Sequence, residues 1–213
     1  MTGVVDQLIH YGRKTVASGL VIGSGGNLSA RAADGDAIWI TASNTWLDEL
    51  TEEDFSLVSI ANGDVLLGHP RPSSELSLHV HSYRTRPDVN ALIHLHPQMS
   101  VLLDAMGRDI RLVTLDHAYY VREVRSTPFI QSGTVALAEA GAAAIRDGCN
   151  CVILGHHGCS VVADSVELAY KRAANLEEAA KATYAALVLG EPAPACPPEY
   201  LKAIRASEVL MGP

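Results

Sequence analysis

The sequence predicts an α/β protein in which a mixed or antiparallel sheet is covered by layers of helix. Three observations carry this expectation. Segments with helical apolar spacing alternate with short apolar runs of strand length. Asn62-Gly63, between two such runs, marks a β-hairpin, so part of the sheet is antiparallel. No repeat, low-complexity tract or linker divides the 213 residues, so they are expected to form one domain spanning 1–213. A chain of that size buries roughly 70% of its unfolded surface.

The elements follow in order. Val5, Leu8, Ile9, Gly12 and Val16 recur at helical spacing and predict an opening helix over 4–19. GSGGN at 23–27 breaks that helix and leads into LSAR, and AIWIT at 37–41 reads as a strand. DFSLVSI and DVLLGH flank the Asn-Gly turn as hairpin strands. RPSSELSLHVHSYRTRPDV predicts a helix capped by Ser73 or Ser74 and ending before Pro87. NALIHLH is a buried strand that Pro97 ends. A short helix over 98–106, a strand over 110–113 and irregular DHAYYVREVRSTPF come next. GTVALAEAGAAAIRD reads as helix and CNCVILG as strand. A long helix then opens on Asp164, with Glu167 placed as in a capping box. EPAPACPP is a proline-rich stop before a partly apolar tail.

Composition narrows the function. Sixteen basic against twenty-four acidic side chains give a net charge of −8, which disfavours nucleic acid and acidic membrane surfaces as partners. An anionic substrate would need its charge met locally. No apolar run approaches the ~18 residues of a membrane span, and the N-terminus has no signal-peptide core. The four cysteines (Cys149, Cys151, Cys159, Cys196) show no metal or disulfide spacing and read as small buried hydrophobes. A reducing cytoplasm is the expected compartment.

Two His-x-His pairs stand out. On a strand, residues two apart share a face, so His94 and His96 can serve as neighbouring metal ligands. On a helix, residues two apart diverge by about 200°, so His79 and His81 cannot both reach one ion. His79 instead lies one turn from Glu75, on the same helix face. A lone His-x-His on a strand is only a moderate signal, since a packed core also accommodates it. VILGHHG supplies a third imidazole at a strand end, giving three histidines with an open position, as in catalytic zinc sites. Glu75 is the candidate carboxylate; its plainer reading is a first-turn Glu favoured by the helix dipole.

Three small, polar segments recur: SGGNLS (24–29), TASN (41–44) and PSS (72–74). Their hydroxyls, amides and a helix N-terminus can hold a phosphate without a basic residue.

SGGNLSAR, ITASN, RPSSE, HVHSYRTRPDVNALIHLHP and LGHHG ahead of a long helix together resemble the zinc-dependent class II aldolase family, in register over residues 4–190. The resemblance implies a three-layer α/β/α fold around a mostly antiparallel nine-stranded sheet. It also implies a homotetramer with sites between neighbouring subunits. Carried over by position, it implies zinc, or another divalent metal such as Mn2+ or Co2+, on His94, His96 and His157. His157 is preferred to His156 because the family ligand immediately precedes the glycine. Glu75 matches the metal-ligating acid/base carboxylate. Gly26, Asn27, Ser43, Asn44, Ser73 and Ser74 match the substrate-phosphate pocket, with Asn44 departing from the family's usual glycine. The DHAYY segment aligns with the region of a second acid/base, where Tyr119 is chosen over Tyr120. The tail carries Tyr200, to which no role transfers.

The implied activity is that of a lyase. A phosphorylated ketose or deoxyketose, such as L-fuculose 1-phosphate, would be cleaved to dihydroxyacetone phosphate and an aldehyde by a retro-aldol reaction through an enediolate. Related reactions in the family are decarboxylation of a 3-keto sugar-acid phosphate, dehydration of methylthioribulose 1-phosphate and 4-epimerisation. The epimerases carry Asp at the positions of Glu75 and Tyr119, which favours aldolase here. A non-enzymatic structural role, as in the adducin head, is disfavoured by the intact histidine and glutamate set.

Overall fold

The computed structural model describes residues 3–22, 24–192 and 194–206. Gly23 of the glycine-rich segment and the end of the tail lie outside them. Among the described residues eight strands form one sheet, in the order β4-β3-β2-β1-β5-β8-β7-β6. They are β1 (Asn27–Arg31), β2 (Ala37–Thr41), β3 (Phe55–Ser59), β4 (Val65–Gly68), β5 (Ala91–Leu95), β6 (Val124–Thr127), β7 (Cys151–Leu154) and β8 (Gly158–Ala163). Every neighbouring pair is antiparallel except β6 and β7. The sheet is therefore mostly antiparallel, with eight described strands where the resemblance implied nine.

Helices cover both faces. One layer holds α1 (Val4–Ala17), α3 (Gln98–Ala105), α4 (Leu115–Val121) and the long α6 (Val166–Val188), with α7 (Pro198–Ala206) against α4. The other holds α2 (Leu76–Thr85) packed on α5 (Val135–Ile145). Strand alternation divides the core accordingly. Ala91, Ile93 and Leu95 of β5 join Leu8, Leu176 and Ala179 on the α1/α6 side. Leu92 joins Leu78, Tyr83 and Leu137 on the α2/α5 side. His94 shares the face of Leu92, so it points toward α2.

Several local expectations need correction. Residues 110–113 form no strand. Their main chain bonds elsewhere: Arg111 N donates to Thr183 Oγ1 of α6 (2.9 Å), and Leu112 O accepts from Cys196 N (2.7 Å). The segment 116–129, expected to be irregular, contains nearly all of α4 and the whole of β6. Thr114 starts α4 by accepting from His117 N (3.1 Å), while its own N–H points at His117 Nδ1 (3.4 Å). Helix α2 begins later than expected, with Glu75 rather than Ser73 or Ser74 at its N-cap. Ser73 Oγ instead accepts from Glu75 N (3.2 Å). Helix α6 is capped by Ser165, not Asp164. Finally, β7 turns back immediately into β8, so His157 sits in a hairpin turn.

Candidate metal centre

Each of the four candidate ligands is placed by a different local device. His94 is the fourth residue of β5 and is fully buried. His96 lies just past the strand, where Pro97 leads into α3. That helix start is held by Glu177, a buried carboxylate on α6 that accepts from Met99 N (3.0 Å), Ser100 N (2.9 Å) and Ser100 Oγ (2.7 Å). His157 closes the β7–β8 turn, its N–H donating to Leu154 O (2.9 Å). The preceding His156 takes the left-handed φ of 56° and is exposed. It therefore absorbs the turn while His157 faces inward. Glu75 stands at the N-cap of α2, which turns its carboxylate down onto the sheet instead of out to solvent.

The result is a tight cluster. The ligand atoms of Glu75, His94, His96 and His157 all lie within 4.8 Å of one another. Nε2 of His94 is 3.1 Å from Nε2 of His96 and 3.0 Å from Glu75 Oε2. His157 Nε2 is 3.3 Å from Glu75 Oε1. The three rings form a nearly equilateral triangle with centroid separations of 5.0, 4.8 and 5.0 Å. Tetrahedral ligands about ~2.0–2.1 Å from a zinc ion would stand roughly 3.3–3.4 Å apart. The observed separations need only small adjustment to meet that geometry, so the residues fit a divalent ion.

Electrostatics favour the ligand forms. Burial lowers His96 to about 4, helped by repulsion from His94 and His157. Burial, then His94, lowers His157 as well. Both imidazoles are neutral near pH 7, with lone pairs available. Burial on its own would raise the Glu75 carboxyl, but hydrogen bonds and attraction from His94, with Asn27 and His157, hold it well below the usual carboxylate range.

The glycines that adjoin the site leave room for it. A Cβ on Gly158 would stand 2.4 Å from Leu95 O and 2.6 Å from His96 Cδ2. On Gly26, whose φ is +84°, it would stand 2.6 Å from His94 O.

The three polar segments do converge beside the cluster. Ser43 N donates to Arg71 O (3.1 Å) and Ser73 N to Thr41 O (3.0 Å), tying the 41–44 loop to the 71–74 loop. Ser43 Oγ donates to Pro72 O (2.7 Å). Asn44 adopts the left-handed φ of 64°, the conformation that the usual glycine would take. Ser73 is buried and Ser74 exposed. Gly26 and Asn27 adjoin this corner through the pairing of Asn27 with His94. The Asn27 side chain, however, turns to Glu75, donating from Nδ2 to Oε2 (3.0 Å).

Tyr119 is not brought to the cluster within the protomer. It lies in the last turn of α4, stacked edge-on to Tyr120. From there the chain enters β6 at Val124, opposite Cys151. Cys151 is the end of β7 remote from His157, with roughly 10 Å of strand between. The other end of β6 leads into residues 128–134, which do reach the site. Ser132 Oγ donates to Glu75 Oε1 (2.9 Å), and the exposed Phe129 ring lies 6.5 Å from His156. Sequence reading missed Ser132; its only signal was the turn-like Ser-Gly pair ahead of α5. Tyr200 lies in α7, on the layer with α4.

A three-histidine, one-carboxylate cluster at the ends of interior strands of a mostly antiparallel sheet defines a candidate metal centre of catalytic type. Residues 6–184 match the family model described as "Class II Aldolase and Adducin N-terminal domain". The chain belongs to this family. It is 32% identical over 187 residues to the 5-deoxy-D-ribulose 1-phosphate aldolase of Bacillus thuringiensis, covering 88% of this chain and 87% of that protein. It is 33% identical over 177 residues to the L-fuculose phosphate aldolase of Methanocaldococcus jannaschii, covering 83% of this chain and 93% of that protein. A solved structure of an L-fuculose 1-phosphate aldolase superposes with a TM-score of 0.86 at 32% identity, over 94% of this chain and 93% of that one. No helix among the described residues is long and apolar enough to cross a membrane.

Proposed function

We propose that this protein is a zinc-dependent lyase that cleaves a phosphorylated ketose or deoxyketose, such as L-fuculose 1-phosphate, to dihydroxyacetone phosphate and an aldehyde. The observation that carries this reading is the cluster itself, with the Glu75 carboxylate 3.0 Å from His94 and 3.3 Å from His157. Both relatives described above are named as sugar-phosphate aldolases, which supports a sugar phosphate as substrate and aldol cleavage as the reaction.

His94, His96 and His157 would hold the ion, with Glu75 as the exchangeable fourth ligand. What a bound divalent ion supplies is Lewis acidity toward the ketose oxygens. Glu75, the one carboxylate of the cluster, is placed to move the proton at the carbon that becomes part of dihydroxyacetone phosphate. The hydroxyls of Ser43, Ser73 and Ser74 and the backbone of Gly26 and Asn44 form the corner that binds the phosphate. The distance from Tyr119 to the cluster within one protomer means that any part it takes on the aldehyde side requires a neighbouring subunit. The proposed homotetramer, with sites between subunits, would provide one.

The test is to incubate the zinc-loaded protein with ketose 1- and 5-phosphates and sugar-acid phosphates and to identify products by mass. Dihydroxyacetone phosphate with an aldehyde is the expected result. Carbon dioxide, water loss or an epimer as the main product would replace this reading with one of the family's other reactions. Protein that holds no divalent metal when purified without chelators would return the chain to a structural role.

A further inference from the structure

We propose that His79 is a positioning residue for Glu75, acting through the side-chain amide of Asn27. The inference rests on the reading of Glu75 as the working carboxylate. His79 is fully buried on α2, one turn beyond Glu75. Its Nε2 is hydrogen-bonded to Asn27 Oδ1, and its Nδ1 lies 2.6 Å from Ser29 Oγ. Ser29 Oγ lies 2.9 Å from Tyr83 Oη, which also donates to Ser29 O (3.0 Å).

Donor and acceptor rules fix the direction of this chain. Ionised Glu75 can only accept, so the end of Asn27 facing it must be the NH2 group. Oδ1 therefore faces His79 and needs a donor, which makes His79 Nε2 the protonated nitrogen. In the neutral ring Nδ1 is then an acceptor, and the Ser29 hydroxyl donates to it. The Tyr83 hydroxyl donates its one proton to Ser29 O. From Ser29 Oγ onward every proton points toward Glu75, and flipping Asn27 would set carbonyl oxygen against carboxylate. The Asn27 side chain is thereby held between His79 and Glu75.

The test uses Zn2+, inorganic phosphate and dihydroxyacetone phosphate as probes on the full chain. Zn2+ affinity is read by competition with a chelator, phosphate affinity by calorimetry, and turnover by exchange of the C3 proton of dihydroxyacetone phosphate in deuterated water. Asn27→Ala and His79→Leu should each weaken Zn2+ binding about 10-fold, the low end for groups that orient ligands. Both should lower kcat for exchange, and His79→Leu should leave KM and phosphate affinity within about twofold of the parent. The double variant should be no worse than either single one, since the two act in series. His79→Gln, which keeps a donor near the Nε2 position, should recover most of the loss. Weakened phosphate binding with unchanged Zn2+ affinity in Asn27→Ala would overturn the proposal and make the amide a phosphate ligand. So would multiplying defects in the double variant, or parental Zn2+ affinity in folded His79→Leu. Absence of exchange in the parent protein would count against the aldolase reading, and the Zn2+ measurements would still decide the role of His79.

Discussion

Gly158→Ala tests how the centre is built. Gly158 lies outside the left-handed φ region, so alanine meets no backbone objection there. What it meets is crowding, at 2.4 Å from Leu95 O, 2.6 Å from His96 Cδ2 and 3.2 Å from His94 Cε1. Ordinary contact begins near 3.4 Å, so the Leu95 contact alone (3.4 less 2.4) requires 1.0 Å of relief. Leu95 O belongs to the main chain of a strand buried at every position, so it does not yield. The relief must come from β8 moving off β5 or from the His96 ring swinging aside. Either movement exceeds the roughly ±0.2 Å within which metal–ligand distances are held. Metal affinity should fall at least about 10–100-fold, and the metal-free protein should lose about 1–3 kcal/mol of stability. A zinc titration against a chromophoric chelator and urea unfolding after chelation measure the two effects. Gly141→Ala is the control, because its Cβ would crowd only the tip of Leu78, at 2.9 Å, with Leu154 Cδ2 at an ordinary 3.8 Å and no candidate metal ligand among its contacts. Parental zinc affinity in Gly158→Ala would refute the packing argument.

Glu177→Ala removes the acceptor for three donors at the start of α3, and should destabilise the protein by about 2–3 kcal/mol in urea; a loss under about 0.5 kcal/mol would show that water replaces the carboxylate there. His157→Ala should abolish metal retention while His156→Ala keeps it, measured as metal per chain after dialysis. The reverse result would exchange their roles. Acid should destabilise the metal-free protein. His79 is lowered by burial to about 3 and His96 by burial to about 4. A folded pKa below the unfolded value near 6.5 means that the stability from each neutral ring is complete above that pH and is lost as pH falls from about 6.5 toward the folded value. At pH 5 the loss is on the order of 2 kcal/mol for each group. A urea midpoint that stays constant between pH 7.5 and 5 would contradict it.

What was legible in the sequence shares one property, a signal contained in a single segment. NALIHLH is apolar except for its histidines, so β5 and the placing of His94 follow from local pattern, and Pro97 marks the stop. Features set by partners in other segments were not legible. Helix α4 is defined by the reciprocal bonds of Thr114 and His117, in a stretch of seven residues too short to show a periodic apolar face. Strand β8 follows a three-residue turn whose left-handed residue is His156 rather than the glycine that would announce it. Residues 110–113 have strand composition, but their main-chain partners lie on α6 and in the tail, some seventy to eighty residues away.

The link between Asn27 and Glu75 was hidden for the same reason, and its geometry explains why both histidine pairs bear on one site. Residues two apart on a strand are separated by roughly 6.6 Å, and residues four apart on a helix by roughly 6 Å along its axis. A helix laid over a strand can therefore match Glu75 and His79 to Asn27 and Ser29, one pair above the other. The bonds follow that match: Asn27 bridges Glu75 and His79, while Ser29 bridges His79 and Tyr83, a further turn along α2. Pairing of Asn27 with His94 on the neighbouring strand then sets Glu75 above His94. Strand spacing sets His94 and His96 side by side, where both can reach one ion. Helical spacing separates His79 from His81 and places His79 where it can orient the carboxylate that completes the set.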